Sequence, residues 1–232
     1  MPAPGRTAKD DRRRRLSQNF LQPAWAEQFV ESADLHSGDL VLEVGAGSGA
    51  VTLALARRGL DVIALEVDPI WTEKLAGVAR RFGGSRIHVM RADVLTFPLP
   101  TRPFRVIGNL PFGATTAILR RLLQDPQAGM QRADLIVQWD VARKRTAIPP
   151  ETLLGTTWAP WWEFELGNRI PSTAFRPVPR VEAGHLVVRR RAKPLLPPTM
   201  AAAYGNFVRD WWTHPRGAEK RPGTPRIQSW RP

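Results

Sequence analysis

Four consecutive residues, Asn109-Leu110-Pro111-Phe112, combine an amide acceptor, a rigid turn and an aromatic ring. The exocyclic amine of adenine is a poor nucleophile because its lone pair is delocalised into the ring. A catalyst that alkylates it must hold the nitrogen with acceptors that favour a more pyramidal geometry. The Asn109 side-chain oxygen and the Leu110 carbonyl suit that task, and Pro111 fixes the turn. Phe112 can stack on a base flipped out of a nucleic acid. Taken without context, the same tetrapeptide is an Asn-Pro turn followed by a core phenylalanine.

A second constellation lies upstream. Glu43-Val44-Gly45-Ala46-Gly47-Ser48-Gly49 ends an apolar run in a glycine-rich turn. Such a turn lets backbone approach a ligand at a helix N-terminus. Dinucleotide enzymes use a similar turn, but with G-x-G-x-x-G spacing. Here the glycines fall at every second position. Glu66 ends the next apolar run, 21 residues after Gly45, where a carboxylate can accept both ribose hydroxyls. Asp93 follows the third run and can accept from an adenine amino group. Glycine turn, Glu66 and Asp93 at three successive strand ends describe an adenosine site without a pyrophosphate requirement. S-adenosylmethionine fits that description. The matching reaction is in-line displacement at a sulfonium methyl, driven mainly by positioning.

Elements that could hold these residues are readable from periodicity. Strands are expected at Leu40 to Val44, Asp61 to Glu66, Ile87 to Met90, Arg105 to Gly108 and Asp134 to Trp139. Helices are expected near Val51 to Arg58, Pro69 to Phe82 and Thr115 to Leu123, with a short basic helix after the fifth strand. Alternation of this kind indicates a parallel, doubly wound α/β sheet with its site at the carboxyl ends of the strands. Trp162 to Leu166 and His185 to Arg190 suit two further strands, Pro171 to Pro179 an ordered loop, and Thr199 to Trp212 a last helix.

The 232 residues carry a formal charge of +13, and 43% of them are apolar. That composition supports one full domain plus an extension, and it calls for a polyanionic partner. The charge is concentrated at the ends. Residues 1–15 hold six basic and two acidic residues, and 189–232 hold ten and two. Between them the chain is close to neutral. Either the ends tether nucleic acid through phosphate neutralisation, or they are solubilising tails of an arginine-biased chain. There is no cysteine, so disulfides, thiolate metal sites and thiol nucleophiles are excluded. Methylation of pyrimidine C5 generally needs such a nucleophile. The four histidines lack metal-ligand spacing, and no metal is expected. No apolar run is long enough for a transmembrane helix and no secretory signal precedes the domain, so a cytoplasmic protein is expected.

Six elements in order extend the argument. They are Leu16-Ser17-Gln18-Asn19-Phe20-Leu21, Glu43 to Gly49, Glu66-Val67-Asp68, Ala92-Asp93-Val94, Asn109 to Phe112, and Phe175-Arg176-Pro177-Val178-Pro179-Arg180-Val181. On these the chain resembles the rRNA adenine N6-methyltransferases over about three quarters of its length. The resemblance implies a Rossmann-like S-adenosylmethionine-dependent methyltransferase fold over residues 16–191. A basic arm, 1–15, would precede it and a shortened helical extension, 192–232, would follow. It implies cofactor contacts from Gln18, Asn19, Leu21, Glu43, Gly45, Ala46, Gly47, Gly49, Glu66, Val67, Asp93, Val94 and Asn109. It implies a catalytic loop of Asn109, Leu110, Pro111 and Phe112, with Phe175 facing the target adenine from the other side.

Phe112 stands where members often have tyrosine. With Gly113-Ala114-Thr115-Thr116 and the arginine-rich ends, it makes the chain most similar to the erythromycin-resistance enzymes of actinomycete type. That branch implies methylation of an adenine in the peptidyl-transferase region of 23S rRNA, with resistance to macrolides, lincosamides and streptogramin B. Phosphate contacts are expected from Arg12, Arg13, Arg14, Arg15, Arg143, Lys144, Arg145, Arg176 and Arg180. A monomer is expected. Members usually carry a compact helical C-terminal domain, which looks shortened here, so Trp211-Trp212 either pack on the catalytic body or stack on RNA. The alternatives are a small-subunit (16S) rRNA adenine dimethyltransferase and a non-catalytic nucleic-acid-binding protein retaining the fold.

Overall fold

The structure, a computed structural model, describes residues 19–82 and 86–214. Its centre is β2 (Leu40–Val44), whose five residues are all buried. A strand covered on both faces reads as a continuous apolar run, and Leu40-Val41-Leu42 is the start of one. Around it lie β3 (Asp61–Glu66), β4 (Ile87–Arg91), β5 (Phe104–Asn109) and β6 (Met130–Gln138), and these five strands are parallel to one another. β7 (Trp162–Ile170) and β9 (Ala183–Arg190) complete a seven-stranded sheet in the order β4-β3-β2-β5-β6-β9-β7. β1 (Phe20–Leu21) and β8 (Phe175–Arg176) form a separate antiparallel ribbon.

Helices cover both faces. α1 (Pro23–Ser32), α2 (Ala50–Arg57) and α3 (Pro69–Phe82) bring Phe29, Leu55 and Leu75 to one apolar cluster, with Val41, Val62 and Ile107 of the sheet. α4 (Thr115–Leu123), α5 (Trp139–Arg145) and α6 (Leu153–Trp158) bring Leu119, Ala142 and Trp158 to the other, with Leu42, Val106 and Leu135. Successive residues of β2 and β5 thus feed opposite clusters, as the pleat requires. α4 shows the pattern most clearly, burying Ile118, Leu119, Leu122 and Leu123 along one stripe.

The helices expected over Pro69 to Phe82 and Thr115 to Leu123 have those bounds. The expectation of a parallel sheet holds for five strands and fails at the last two. β9 runs antiparallel to both β6 and β7. Residues 171–182, between β7 and β9, contain no α-helix, and a parallel return needs a crossover element. β6 also starts four positions earlier than the expected Asp134. Arg132 masks its apolar run. Its Nε and Nη2 donate to the two oxygens of Asp134 at 2.7 and 2.8 Å, and His185 Nε2 lies 2.9 Å from Asp134 Oδ1. Bonding to Asp134 strengthens the hold of the Arg132 guanidinium on its proton against the opposing effect of burial.

The described part of the extension packs on the body. Trp161 Nε1 donates to the Leu196 carbonyl at 2.9 Å, and Tyr204 of α7 (Ala201–Thr213) meets Trp161 edge to face at 5.8 Å. Val208 is buried, while Phe207 and Trp211 are exposed. Trp211 and Trp212 contact each other at 5.9 Å. The basic arm 1–15 lies outside the described residues.

Replacing Arg132 by alanine leaves Asp134 buried without its two-pronged partner. The expected loss is about 3–5 kcal/mol, read from the urea midpoint. A loss under about 1 kcal/mol would show that Asp134 does not depend on Arg132.

Candidate active site

The order of the sheet reverses at β2, whose neighbours are β3 and β5. At such a switch point the loops leaving adjacent carboxyl ends part and open a crevice. A cavity of about 440 Å³ lies there. It is lined by the turn after β2, the ends of β3 and β4, the loop after β5 and the ribbon residues Phe20 and Leu21.

The glycine turn has the backbone that its spacing requires. Gly45, Gly47 and Gly49 all have positive φ, at 73°, 53° and 85°. Gly47 has a second constraint, because a Cβ there would stand 3.0 Å from the Phe20 ring. Gly49 opens α2 in the left-handed conformation, and a Cβ there would meet Leu75 at 2.6 Å. Gly49 does not line the cavity. Its part is to turn the chain into the helix. The turn is also stitched to β3, since the Gly45 and Ala46 N–H groups both donate to the Leu65 carbonyl at 3.0 Å.

Glu66 closes the other side of this turn. Its Oε2 accepts from Gly47 N–H at 2.7 Å and its Oε1 from Asp68 N–H at 2.8 Å. Burial still raises its pKa, against those backbone bonds. The carboxylate is thereby held at one orientation toward the cavity, as a receptor for a diol requires. Asp93 stands at the end of β4 with Oδ1 accepting from Leu95 N–H at 2.9 Å. Glu43 lies deeper. It is 1% exposed, and Thr52 Oγ1 donates to its Oε2 at 2.6 Å. Burial pushes its pKa up to about 7, with the nearby Glu66 adding to the effect.

The loop after β5 forms the facing wall, with Asn109, Leu110, Pro111 and Phe112 all lining the cavity. Asn109 Nδ2 donates to the Asn19 carbonyl at 2.7 Å. That bond occupies the amide nitrogen and assigns the Asn109 oxygen as the acceptor. The Leu110 N–H donates to Ile136 O at 3.0 Å, and the Pro111 carbonyl accepts from Ala114 N–H at 2.9 Å. Phe112 is half-buried against the first apolar cluster.

The cavity thus brings together Asn19, Leu21, Glu43, Gly45, Ala46, Gly47, Glu66, Val67, Asp93, Val94 and the four loop residues. Gln18 and Arg12 to Arg15 lie outside the described residues. Phe175 is a correction. It is fully buried in the first cluster, opposite Leu21 across the β1–β8 ribbon, and presents no face to a base. The apolar pairing that closes the ribbon takes up its ring. Arg145 also turns inward. Its Nη1 donates to Thr152 Oγ1 at 2.8 Å, its guanidinium lies over Trp158, and desolvation lowers its pKa. Arg143, Lys144, Arg176 and Arg180 remain exposed. Phe20 is not among the expected site residues, yet it lines the cavity and contacts Trp71 at 4.6 Å. Its place inside the motif with Asn19 and Leu21 was the available signal.

Comparison with known proteins returns one family model, described as ribosomal RNA adenine dimethylase, over residues 9–218. The chain is 39% identical over 196 residues to an rRNA adenine N-6-methyltransferase of Corynebacterium diphtheriae, covering 84% of this chain and 76% of that one. It is 39% identical over 204 residues to the mycinamicin-resistance protein MyrB of Micromonospora griseorubida, covering 88% of this chain and 64% of that one. Among solved structures, that of the 23S rRNA methyltransferase ErmE superposes with a TM-score of 0.75 at 32% identity, over 86% of this chain and 81% of that chain.

Phe175→Ala tests the reassignment of that ring. Truncation of a buried phenylalanine is expected to cost about 3–5 kcal/mol in urea unfolding. Phe175→Leu is expected to recover most of that stability. Wild-type stability in the alanine variant would return Phe175 to the cavity.

Proposed function

The chain belongs to the ribosomal RNA adenine dimethylase family, and we propose that it methylates the N6 amine of one adenine in 23S rRNA with S-adenosylmethionine as cofactor. The observation that carries this reading is the continuity of one cavity from the Glu66 and Asp93 carboxylates to the Asn109 loop. A nucleoside-bearing cofactor and a target base can meet there without a further domain.

The residues fit the cofactor. When bound, S-adenosylmethionine supplies a sulfonium whose methyl is electrophilic. Glu66, with both oxygens already oriented by backbone N–H groups, accepts from the ribose hydroxyls. Asp93 and Val94 take the adenine end, and Asn19 the methionine end. A side chain on Gly47 would crowd Phe20, so the turn keeps open backbone facing the ligand.

On the other side, Asn109 Oδ1 and the Leu110 carbonyl accept from the target amine and bias its lone pair toward the methyl. Phe112 stacks on the flipped base. A base is not required beside the amine, because its proton becomes acidic once nitrogen is alkylated. Exposed Arg143, Lys144, Arg176 and Arg180 supply phosphate contacts on the RNA, and their charge makes binding salt-dependent. The similarity to MyrB and to the ErmE structure supports the large-subunit target and resistance to macrolides.

Labelled methyl transfer to protein-free 23S rRNA, followed by nucleoside analysis, is expected to yield N6-methylated adenosine. Label appearing only in an assembling small subunit would reject the large-subunit target. Asn109→Ala is expected to lower turnover roughly 10²–10³-fold, the loss typical of one preorganised catalytic hydrogen bond. Its cofactor dissociation constant, read by calorimetry, should change far less. Retained turnover would remove Asn109 from the role of amine acceptor.

A further inference from the structure

The cavity wall is one-sided in charge. Three carboxylates line it, Glu43, Glu66 and Asp93, and no lysine, arginine or histidine among the described residues does. The two buried ones differ in support. Glu66 receives Gly47 and Asp68 N–H groups on separate oxygens, which favours its ionised form. Among the described residues Glu43 leans on Thr52 alone, through hydroxyl and backbone. A carboxylate so placed, beside another carboxylate and without a cation, is the member of the pair that keeps a proton near neutrality. Its pKa of about 7 agrees with that geometry.

Among the described residues the surroundings supply no hidden counter-charge. β3 brings Glu66, with Asp68 just beyond it, and the loop after β4 brings Asp93. α2 brings Thr52, and β5 places Ile107 opposite Glu43. One strand further, Asp134 is paired with Arg132 and His185. Arg105 is paired with Asp39 at 2.7 Å, and Arg57 with Glu27 at the surface.

A sulfonium cofactor differs from its thioether product by one positive charge at the sulfur. We propose that Glu43 tells the two apart, releasing its proton to solvent when the sulfonium ligand enters and taking one back when the neutral thioether remains. This role rests on the cofactor reading above. Glu43 acts as a selectivity residue: the pocket holds the charged ligand more tightly as pH rises through neutrality, and it gains nothing comparable for the product.

The test is titration calorimetry of the full chain with S-adenosylmethionine and S-adenosylhomocysteine, in buffers of differing ionisation enthalpy. The wild type is expected to release a fraction of a proton per sulfonium ligand at pH 7, in excess of Glu43→Gln. Its affinity is expected to rise about fivefold more than that of the variant between pH 6 and 8, as for a group near 7 whose pKa falls by one unit. S-adenosylhomocysteine should show no such difference between the two proteins. Equal proton release by wild type and variant, or an equal excess with both ligands, overturns the proposal. Failure to bind either ligand at any pH would instead overturn the cofactor reading. Should Glu43→Gln not fold, Thr52→Val removes the hydroxyl donor, and the midpoint of the pH profile should move upward. An unmoved midpoint likewise overturns the proposal.

Discussion

The carboxylate of Glu66 is the tie on which the site depends. One oxygen holds the Gly47 N–H and the other the Asp68 N–H, so this side chain joins the Leu65 carbonyl, which accepts from Gly45 and Ala46, in fixing the glycine turn against the end of β3. The turn has three residues at positive φ and closes on itself through a bond from the Gly49 N–H to the Ala46 carbonyl. Without an anchor it would have no reason to stay open toward a ligand. Glu66 is buried to supply that anchor, and burial raises its pKa. Backbone N–H donors oppose that rise and keep the group a usable acceptor. Position and charge state therefore come from the same two bonds.

The facing wall is organised by a different tie, from Asn109 to the Asn19 carbonyl. It joins residues 90 positions apart, and it orients the Asn109 amide. The segment that contributes Asn19 continues into β1, whose Leu21 pairs with Phe175 in the short ribbon. Phe175 thus helps to hold the segment that closes the cavity. The ring that meets solvent from the loop side is Phe112, and the ring over the glycine turn is Phe20.

Charge is partitioned in the same spirit. Arg132 and Asp134 pair inside the sheet with His185 against Asp134, and Arg145 braces the start of α6 through Thr152, whose side chain caps that helix. Basic residues with such partners are unavailable to phosphate, whereas Arg143, Lys144, Arg176 and Arg180 stay at the surface. Among the described residues the charged lining of the cavity is acidic alone, which suits a cationic cofactor beside a polyanionic substrate. The extension beyond β9 is anchored by Trp161 and Tyr204 and leaves Phe207 and Trp211 outward.

Much of this was legible in the chain itself. The G-x-G-x-G spacing, Glu66, Asp93 and the Asn109 tetrapeptide named the cavity wall, because strand ends and glycine turns are local features that short-range sterics impose. Helices with a clear apolar stripe, such as α3 and α4, could be bounded from periodicity for the same reason. The expected elements include neither α1, whose stripe is only Ala26, Phe29 and Val30, nor six-residue α6, which is too short for a period to register. The tertiary structure alone decided the antiparallel edge, the inward turn of Arg145 and the burial of Phe175. Each depends on what lies across space. A phenylalanine before Pro-x-Pro reads the same whether its ring faces a ligand or a leucine on another strand, and only the pairing of Leu21 with Phe175 distinguishes the two.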